Sequence, residues 1–247
     1  MKYPKKVSEH IVNWIDNYIN ESGVKGIVVG VSGGVDSALT STLCAETGQN
    51  VLCLEMPIYQ NKDQVSRSEK HIDWLKSKYT NVTSKKIELD KTFESFVSSV
   101  PYNSSDKHEL SLANTRSRLR MVTLYYFSAL NDYIVAGTGN RVEDFGIGFY
   151  TKYGDGGVDI SPIADLLKSE VFSLARFHKI IDEIIEAEPN DGLWNDNRSD
   201  EDQIGASYEE IETAMINCDK NESLSKREKE VLKIYKSFNT ANKHKMD

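Results

Sequence analysis

The sequence has 247 residues, of which 39% are hydrophobic and 28% are charged, and its formal net charge is −8 at pH 7. This length suits one sizeable α/β core, and we expect residues 1–247 to form a single domain. No apolar run approaches the roughly 18 to 20 residues that a membrane-spanning helix needs, so we expect no membrane partner. The acidic balance disfavours a nucleic-acid partner, because nucleic acids select basic surfaces.

The N-terminus and the cysteines indicate a cytoplasmic protein. The first ten residues, MKYPKKVSEH, are partly basic, but no apolar segment follows them and the sequence shows no signal peptide. Cys44, Cys53 and Cys218 have no CxxC or metal-ligand spacing. We expect all three to be buried thiols.

The predicted elements alternate between helices and strands. Residues 8–23 carry apolar side chains at helical spacing, and Gly23 suits a helix C-terminus. Four apolar runs predict strands: GIVVGV (26–31), NVLCLEM (50–56), KKIEL (85–89) and DYIVAG (132–137). A segment with helical periodicity follows each run, which is the pattern of parallel βαβ units. We therefore predict an α/β fold, a doubly wound parallel sheet with helices on both faces.

Long segments separate and follow these strands. Residues 63–79, 110–130 and 166–178 have the periodicity of amphipathic helices. Residues 137–161 hold seven of the 15 glycines, and a loop of this length is usually functional. The polar stretch 187–205 lacks a packed pattern and suits a mobile lid, and two final helices are expected after it.

The hexapeptide SGGVDS, Ser32 to Ser37, lies between the first strand and a helical segment. Gly33 and Gly34 allow the backbone to approach a ligand, and the following helix offers free N–H groups to an anion. The alternative is a plain turn in which Asp36 or Ser37 caps the helix. The loop has neither the lysine of GxxxxGK[ST] nor a GxGxxG pattern, which disfavours kinase-type and dinucleotide-binding loops.

This hexapeptide resembles the SGGxDS loop of the PP-loop ATP pyrophosphatases. It matches the loop at Ser32, Gly33, Gly34, Asp36 and Ser37. The resemblance implies a Rossmann-like sheet of the adenine nucleotide alpha hydrolase type. It also implies that the loop holds the β and γ phosphates of ATP while the α phosphorus is attacked. Asp36 then suits a Mg²⁺ ligand, because this cation prefers carboxylate oxygen.

Three further segments resemble the NAD synthetase family: NTRSRLRM (114–121), the glycine-rich segment 137–171 and the HK pair (244–245). The resemblance implies that ATP adenylates the nicotinate carboxylate of deamido-NAD and that ammonia then displaces AMP. It also implies a homodimer. We see no glutaminase-sized region before the first strand, so free ammonia or a separate protein is the expected nitrogen source.

The family resemblance assigns the site residues position by position. It places ATP at Gly30, Val31, Ser32, Gly33, Gly34, Val35, Asp36, Ser37, Thr138, Lys168 and Asn190. It places deamido-NAD at Arg118, Lys152, Asp159, His244 and Lys245, and Mg²⁺ at Asp36 and Glu143. Asn190 stands where the family usually has a threonine, which leaves the identity of that contact open.

The chemistry of three of these residues supports their assignment. Glu143 follows the carboxyl end of a strand, where doubly wound sheets bind ligands, so it can face Asp36. Lys168 can stabilise charge on phosphate oxygens as a positioned cation rather than as a base. Asp159 is the candidate to bind or deprotonate the ammonium ion. The predicted catalytic set is therefore Asp36, Lys168 and Asp159.

Several residues keep a second interpretation. Arg118 is preferred over Arg120 as the substrate-facing arginine, because residues i and i+2 do not share a helix face. Asp155 is assigned to a turn beside glycine. His244 and Lys245 act only if the chain end folds over a ligand or a partner subunit. The sequence as a whole also leaves open another PP-loop ligase, a tRNA-modifying enzyme and a non-catalytic ATP sensor.

Overall fold

The structure is a computed structural model and describes residues 1–190, 192–193, 199–218 and 224–246. Its strands are β1 (Gly26–Gly30), β2 (Asn50–Glu55), β3 (Val82–Lys86) and β4 (Tyr133–Ala136). Its helices are α1 (Pro4–Ser22), α2 (Val35–Glu46), α3 (Lys62–Lys78), α4 (Asp90–Ser99), α5 (Asp106–Asn131), α6 (Lys168–Phe177), α7 (Asp182–Ile185), α8 (Asp200–Ile204), α9 (Tyr208–Asn217) and α10 (Lys226–Met246). A π-helix, Val142–Ile147, lies between β4 and α6.

The strands form one parallel sheet in the order β3-β2-β1-β4. In its centre, Val28 of β1 lies opposite Leu52 of β2 and Val135 of β4. The chain winds from β1 to β2 and β3 on one side and then returns to place β4 on the other side, which confirms the doubly wound fold. The winding reverses between β1 and β4, and the carboxyl ends of these two strands are where such sheets bind ligands.

Alternate side chains of the sheet pack into a hydrophobic cluster on each face. On one face, Val29 belongs to a cluster with Leu39 of α2 and Leu174 of α6. On the other face, Val28 belongs to a cluster with Phe127 of α5. Since each buried side chain of this kind contributes about 1.5–3 kcal/mol, the two clusters fix the helices to the sheet. The loops at the carboxyl edge therefore start from a rigid base.

The third strand and the glycine-rich segment differ most from the prediction. The third strand covers Val82–Lys86 instead of residues 85–89, and the side chains of Ile87 and Leu89 that follow it pack in the hydrophobic cluster beside α4. The glycine-rich segment is not a simple loop either. It contains the π-helix, and its Ile160 forms a parallel bridge with Ala136 at the end of β4.

The cysteine prediction is wrong for one residue. Cys44 and Cys53 are buried, but Cys218 is partly exposed because it caps the last turn of α9, beyond the apolar face of that helix. Across the described residues, no helix has the length and apolar character required to cross a membrane. The cytoplasmic location stays a prediction.

Candidate active site

The loop Ser32–Ser37, called the SGG loop below, connects β1 to α2. Gly33 has a φ of +85°, and a Cβ atom built on it would lie 2.5 Å from the backbone oxygen of Gln64 in α3. Only glycine meets both demands. The Ser37 hydroxyl lies 3.1 Å from the backbone nitrogen of Ser32 and donates to the Gly34 oxygen at 3.0 Å. The loop is therefore fixed from within and from α3.

Asp36 does not cap α2. The helix begins at Val35 after Gly34, which makes no side-chain capping hydrogen bond. The Asp36 carboxylate instead accepts hydrogen bonds from Lys168 Nζ at 2.6 Å and from Asn140 Nδ2 at 2.9 Å. Both partners come from segments that follow β4, so the carboxylate bridges the two strands where the winding reverses.

Lys168 stands between two carboxylates. Its Nζ lies 2.6 Å from Asp36 Oδ2 and 3.0 Å from Glu143 Oε1, and only 3% of its side chain is exposed. Asp36, Glu143 and Lys168 form what we call the Lys168 cluster. The sequence predicted that Asp36 and Glu143 can face each other, and the structure brings them onto one ammonium group.

Tyr208 and Asp200 complete the surroundings of this cluster. The Tyr208 hydroxyl lies 2.7 Å from Glu143 Oε1 and 3.2 Å from Asp200 Oδ2, and its ring centroid is 4.6 Å from Lys168 Nζ. These two residues belong to α8 and α9, far along the chain from the motifs. The sequence reasoning missed them, and it also missed Asn140, which lies three positions before Glu143 in the same glycine-rich segment.

Burial and charge shift the pKa values in this cluster. Burial alone would lower the pKa of Lys168, but Asp36 and Glu143 outweigh it and the pKa lies above its ordinary value. Burial raises the pKa of Glu143, with Lys168 opposing the shift and Asp36 adding to it. Burial, followed by the charge of Glu143, raises the pKa of Tyr208. Lys168 therefore carries its proton at neutral pH.

A cavity of about 260 Å³ opens beside the Lys168 cluster and the SGG loop. Every predicted ATP residue lines it: Gly30, Val31, Ser32, Gly33, Gly34, Val35, Asp36, Ser37, Thr138, Lys168 and Asn190. The predicted metal ligands Asp36 and Glu143 line it as well. The structure therefore gathers this entire group of predicted residues around one space.

The predicted deamido-NAD residues form a second group outside the cavity lining. Arg118 donates to the Lys152 oxygen at 3.3 Å, and Lys152 Nζ donates to the His244 oxygen. Lys245 Nζ donates to the oxygens of Gly148 and Tyr150 at 2.9 and 2.8 Å. The end of α10 therefore folds back onto the glycine-rich segment, next to Arg118.

Asp155 and Asp159 occupy different places. Asp159 lies outside the cavity lining, where its oxygens accept from the Tyr125 hydroxyl at 2.9 Å and the Val135 N–H at 2.8 Å. Asp155 accepts from the Ser117 hydroxyl at 2.7 Å and the Thr151 N–H at 3.0 Å, and it lines the cavity. The turn role predicted for Asp155 is present, and the residue also lines the cavity.

Arg118 and Arg120 of α5 also lie at different places relative to the cavity. Arg120 lines the cavity and donates to the Met56 oxygen at 3.0 Å and to Gln60 Oε1 at 2.7 Å. Arg118 is exposed and lies outside the lining. The preference for Arg118 over Arg120 therefore does not hold for the cavity, because the phase of the helix turns Arg120 toward it.

The first residues of the predicted lid lie over the cavity. Asn190 lines it, and its side-chain oxygen accepts from the Gly192 N–H at 2.7 Å. The Asn190 backbone oxygen accepts from Gln64 of α3 at 3.4 Å, and Arg116 of α5 donates to the Leu193 oxygen at 2.7 Å. Residue 191 and residues 194–198 of the predicted lid lie outside the described residues.

The fold and the SGG loop with its half-buried Asp36 define a nucleotide-binding α/β protein of the PP-loop ATP pyrophosphatase class. The model of the family described as NAD synthase matches residues 7–247. The chain therefore belongs to the NAD synthase family.

Individual relatives and solved structures agree with this family. An NH(3)-dependent NAD(+) synthetase from Carboxydothermus hydrogenoformans is 39% identical over 85% of this chain and 84% of its own length. A protein of that name from Mesoplasma florum is 34% identical over 93% of this chain and 92% of its own.

Among solved structures, an NMN synthetase from Francisella tularensis gives a TM-score of 0.87 at 29% identity, covering 99% of this chain and 96% of its own. An NH3-dependent NAD synthetase from Campylobacter jejuni gives a TM-score of 0.79 at 27% identity, with 99% and 96% coverage.

Proposed function

We propose that this chain is an ammonia-dependent ligase that uses ATP to amidate deamido-NAD to NAD, releasing AMP and pyrophosphate. One observation carries this proposal: Lys168 lies between Asp36 and Glu143 at the SGG loop, inside the cavity. A permanent cation and two carboxylates beside an anion-binding loop suit stabilisation of phosphate charge. The family names support the substrate, since both relatives above are called NH(3)-dependent NAD(+) synthetases.

The reaction has two steps. An oxygen of the nicotinate carboxylate attacks the α phosphorus of ATP, the bond to the β-phosphate oxygen breaks, and pyrophosphate leaves. Ammonia then attacks the carbonyl carbon of the acyl adenylate, and AMP leaves with the bridging oxygen. The SGG loop binds phosphate through backbone N–H groups, and Lys168 balances the charge that grows on the phosphate oxygens. Neither step needs a protein nucleophile.

We assign Mg²⁺ to Asp36 and Glu143. Both carboxylates line the cavity beside the SGG loop, and carboxylates are the ligands that Mg²⁺ prefers. Within the described residues, no group of three or more acidic, histidine or cysteine side chains could hold a metal. Phosphate oxygens and water would therefore complete the coordination. A bound Mg²⁺ would supply neutralisation of the phosphate charge.

We propose that Asp155 binds the ammonium ion, in place of the role predicted for Asp159. Asp155 lines the cavity, whereas both Asp159 oxygens are engaged outside it. A carboxylate in the cavity can hold ammonium and accept its proton before attack. Asp159 then stays a proposed contact to the dinucleotide where the ligand leaves the cavity, as do Arg118, Lys152, His244 and Lys245.

We also propose a homodimer through α5. Val122, Tyr126 and Leu130 recur every four residues along this helix, and each is 58% or more exposed. Phe127, beside them in sequence, belongs to the core. Such a stripe of large apolar side chains suits a protein interface. Light scattering of the wild type and of Tyr126→Lys at low concentration tests it, with a dimer expected for the first and a monomer for the second.

The main test supplies ATP, Mg²⁺, deamido-NAD and ammonium and follows AMP and NAD. We expect AMP and NAD in equal amounts and no AMP when deamido-NAD is omitted. Intact ATP with folded protein would favour the non-catalytic ATP sensor. A second candidate acceptor is nicotinate mononucleotide, because the similar structure from Francisella tularensis is called NMN synthetase. The ratio of kcat/KM for the two acceptors decides between them.

A further inference from the structure

The cavity carries more negative than positive charge, although ATP is itself an anion. Its described lining includes six carboxylates: Asp36, Glu55, Glu143, Asp155, Glu188 and Asp200. The cations of the same lining are three: Arg67, Arg120 and Lys168. The SGG loop also lacks the lysine that other phosphate loops provide. The phosphates therefore depend strongly on whichever cations are free to meet them.

Two of these cations already serve other groups. Lys168 is paired with Asp36 and Glu143 at 2.6 and 3.0 Å. Arg120 donates to the Met56 oxygen and to Gln60 Oε1. Their capacity to bind the far end of a triphosphate is correspondingly reduced, and Arg67 is the third cation of the lining.

Arg67 stands directly against the SGG loop. A Cβ atom built on Gly33 would lie 3.3 Å from Arg67 Cβ, and Arg67 Nε donates to the Gly33 oxygen at 3.2 Å. Within the described part of the chain, Arg67 has no ion pair and no other hydrogen bond. Its two terminal nitrogens thus stay available at the cavity wall, held in place by the bond from Nε.

The sheet order decides which part of the nucleotide Arg67 can reach. Arg67 lies on α3, which follows β2, whereas Glu143 and Lys168 lie in segments that follow β4. Since β2 and β4 flank β1 on opposite sides, Arg67 and the Lys168 cluster approach the loop from opposite sides. Two cationic groups on opposite sides of one loop suit two different phosphates of the same ligand.

We propose that Arg67 is a phosphate-binding residue that contacts the pyrophosphate portion of ATP and holds it as it leaves. The proposal rests on the ATP-dependent function given above. The planar guanidinium fork can offer two parallel N–H donors to phosphate oxygens, which a lysine cannot. Arg67 thereby provides the positive charge that the SGG loop itself lacks.

The test compares ligands that contain or lack the pyrophosphate portion. Calorimetric titration of the full chain with ATP, pyrophosphate and AMP is done for the wild type, Arg67→Gln and Arg67→Lys. In Arg67→Gln we expect affinity for ATP and pyrophosphate to fall by about tenfold to hundredfold, as for loss of a charge-assisted hydrogen bond, while AMP binding stays within about twofold. Arg67→Lys should recover part of the loss.

Lys70→Gln is the matched control on the same helix, because Lys70 is exposed, pairs with Glu183 and lies outside the cavity lining. It should bind all three ligands as the wild type does. Unchanged pyrophosphate affinity in Arg67→Gln would overturn the proposal. So would an equal loss for AMP and pyrophosphate, which would mean that Arg67 only supports the loop.

Deamido-NAD-dependent AMP formation by the wild type is measured alongside these titrations. If the wild type forms AMP but Arg67→Gln keeps its pyrophosphate affinity, only the role of Arg67 fails. If the wild type forms no AMP while Arg67→Gln loses affinity for ATP and pyrophosphate, the proposed reaction fails and the role of Arg67 stands. The two failures are therefore distinguishable.

Discussion

Helices α2 and α6 are joined by a side-chain contact at each end, and the two contacts differ in kind. At the start of both helices, Asp36 meets Lys168 at 2.6 Å beside the cavity. At their ends, Glu46 meets His178 at 3.0 Å. The second contact is extended by two hydroxyls, since Ser8 of α1 lies 2.9 Å from His178 Nε2 and Tyr79 donates to Glu46 at 3.1 Å.

The difference lies in what surrounds each pair. Lys168 also pairs with a second carboxylate, Glu143, and lies next to the SGG loop. A single ion pair would be enough to join the two helices, so the additional charge at this end needs another explanation. The Glu46–His178 contact ties α1 and the end of α3 to the same pair of helices. We therefore expect the first contact to matter for activity and the second for stability. Substitutions at the two ends should separate activity from stability.

The largest effect is expected for Lys168→Met, which removes the cation and leaves two carboxylates facing each other. The free energy of unfolding should fall by about 3–5 kcal/mol, the usual effect of breaking a buried pair. Added Mg²⁺ should recover part of this loss if it binds Asp36 and Glu143. Urea unfolding with and without Mg²⁺ measures both effects. Lys25→Met, which breaks an exposed pair with Asp132, should change stability by less than about 1 kcal/mol.

Asp36→Asn should reduce AMP formation by about a hundredfold to thousandfold, the effect of removing one group that stabilises transition-state charge. The melting temperature should change by only a few degrees, because Lys168 keeps Glu143 as a partner. Steady-state AMP release and a thermal melt measure the two outcomes. Asp132→Asn serves as the surface control. Wild-type turnover of Asp36→Asn at saturating Mg²⁺ would contradict the assignment.

His71 contacts α2 midway between its two ends, where the Ser41 hydroxyl lies 2.9 Å from Nε2. Burial lowers the pKa of His71 from 6.5 to about 4. As the pH falls, His71 is protonated in the unfolded chain before it is protonated in the folded protein. The contribution of His71 to the free energy of unfolding is therefore fully present above pH 6.5 and is lost as the pH falls toward 4. The decline attributable to His71 is about 3 kcal/mol.

This pH dependence is measured as the free energy of unfolding at several pH values across that interval. His71→Gln should show a shallower decline than the wild type, whereas His10→Gln, an exposed histidine of α1, should keep the wild-type slope. Equal slopes for His71→Gln and the wild type would mean that His71 is not the group that resists protonation.

Glu46→Gln should lower the free energy of unfolding by about 1–2 kcal/mol, because it weakens the contacts of the Glu46 carboxylate with His178 and Tyr79, which are largely shielded from water. The kcat and the KM for ATP should stay at wild-type values, since Glu46 lies at the opposite end of α2 from the cavity. Chemical unfolding and the AMP assay test this combination. If Glu46→Gln lost most of its activity but kept wild-type stability, the expected difference between the two ends of α2 would be wrong.

The last prediction concerns the reactivity of the three cysteine thiols and involves no substitution. Burial raises the pKa of Cys53 to about 12 and raises the pKa of Cys44, in α2, still further above its ordinary value. Both should resist a water-soluble thiol reagent in the native protein, while the partly exposed Cys218 reacts. Spectroscopic thiol titration should find one reactive group in the native state and three in denaturant. Fast reaction of all three would indicate a loosely packed α2.

The sequence predicted the parts of the site that lie in local motifs. Strand hydrophobicity located β1 and β4, and parallel strands end at one edge, so Asp36 and Glu143 could be expected to meet there. Lys168 and the SGG loop came from motif resemblance, and all of these residues line the cavity.

The remaining site residues depend on tertiary packing. Asp200 and Arg67 line the cavity, and Tyr208 contacts Glu143 beside it, because α8, α9 and α3 pack there, which no local pattern specifies. Arg120 and Asp155 depend on which way one helix and one turn face. Those directions are set by the contacts of α5 and of the glycine-rich segment, which the sequence pattern does not specify.

The central claim is that the nicotinate carboxylate of deamido-NAD attacks the α phosphorus of ATP. Following the oxygen atoms of that carboxylate tests this claim most directly. Deamido-NAD labelled with ¹⁸O in its nicotinate carboxylate is converted with ATP, Mg²⁺ and ammonium, and the AMP is examined by mass spectrometry. Attack on the α phosphorus at the Lys168 cluster predicts one ¹⁸O atom in AMP and none in pyrophosphate. Unlabelled AMP, or label in inorganic phosphate with ADP as the product, would contradict the account.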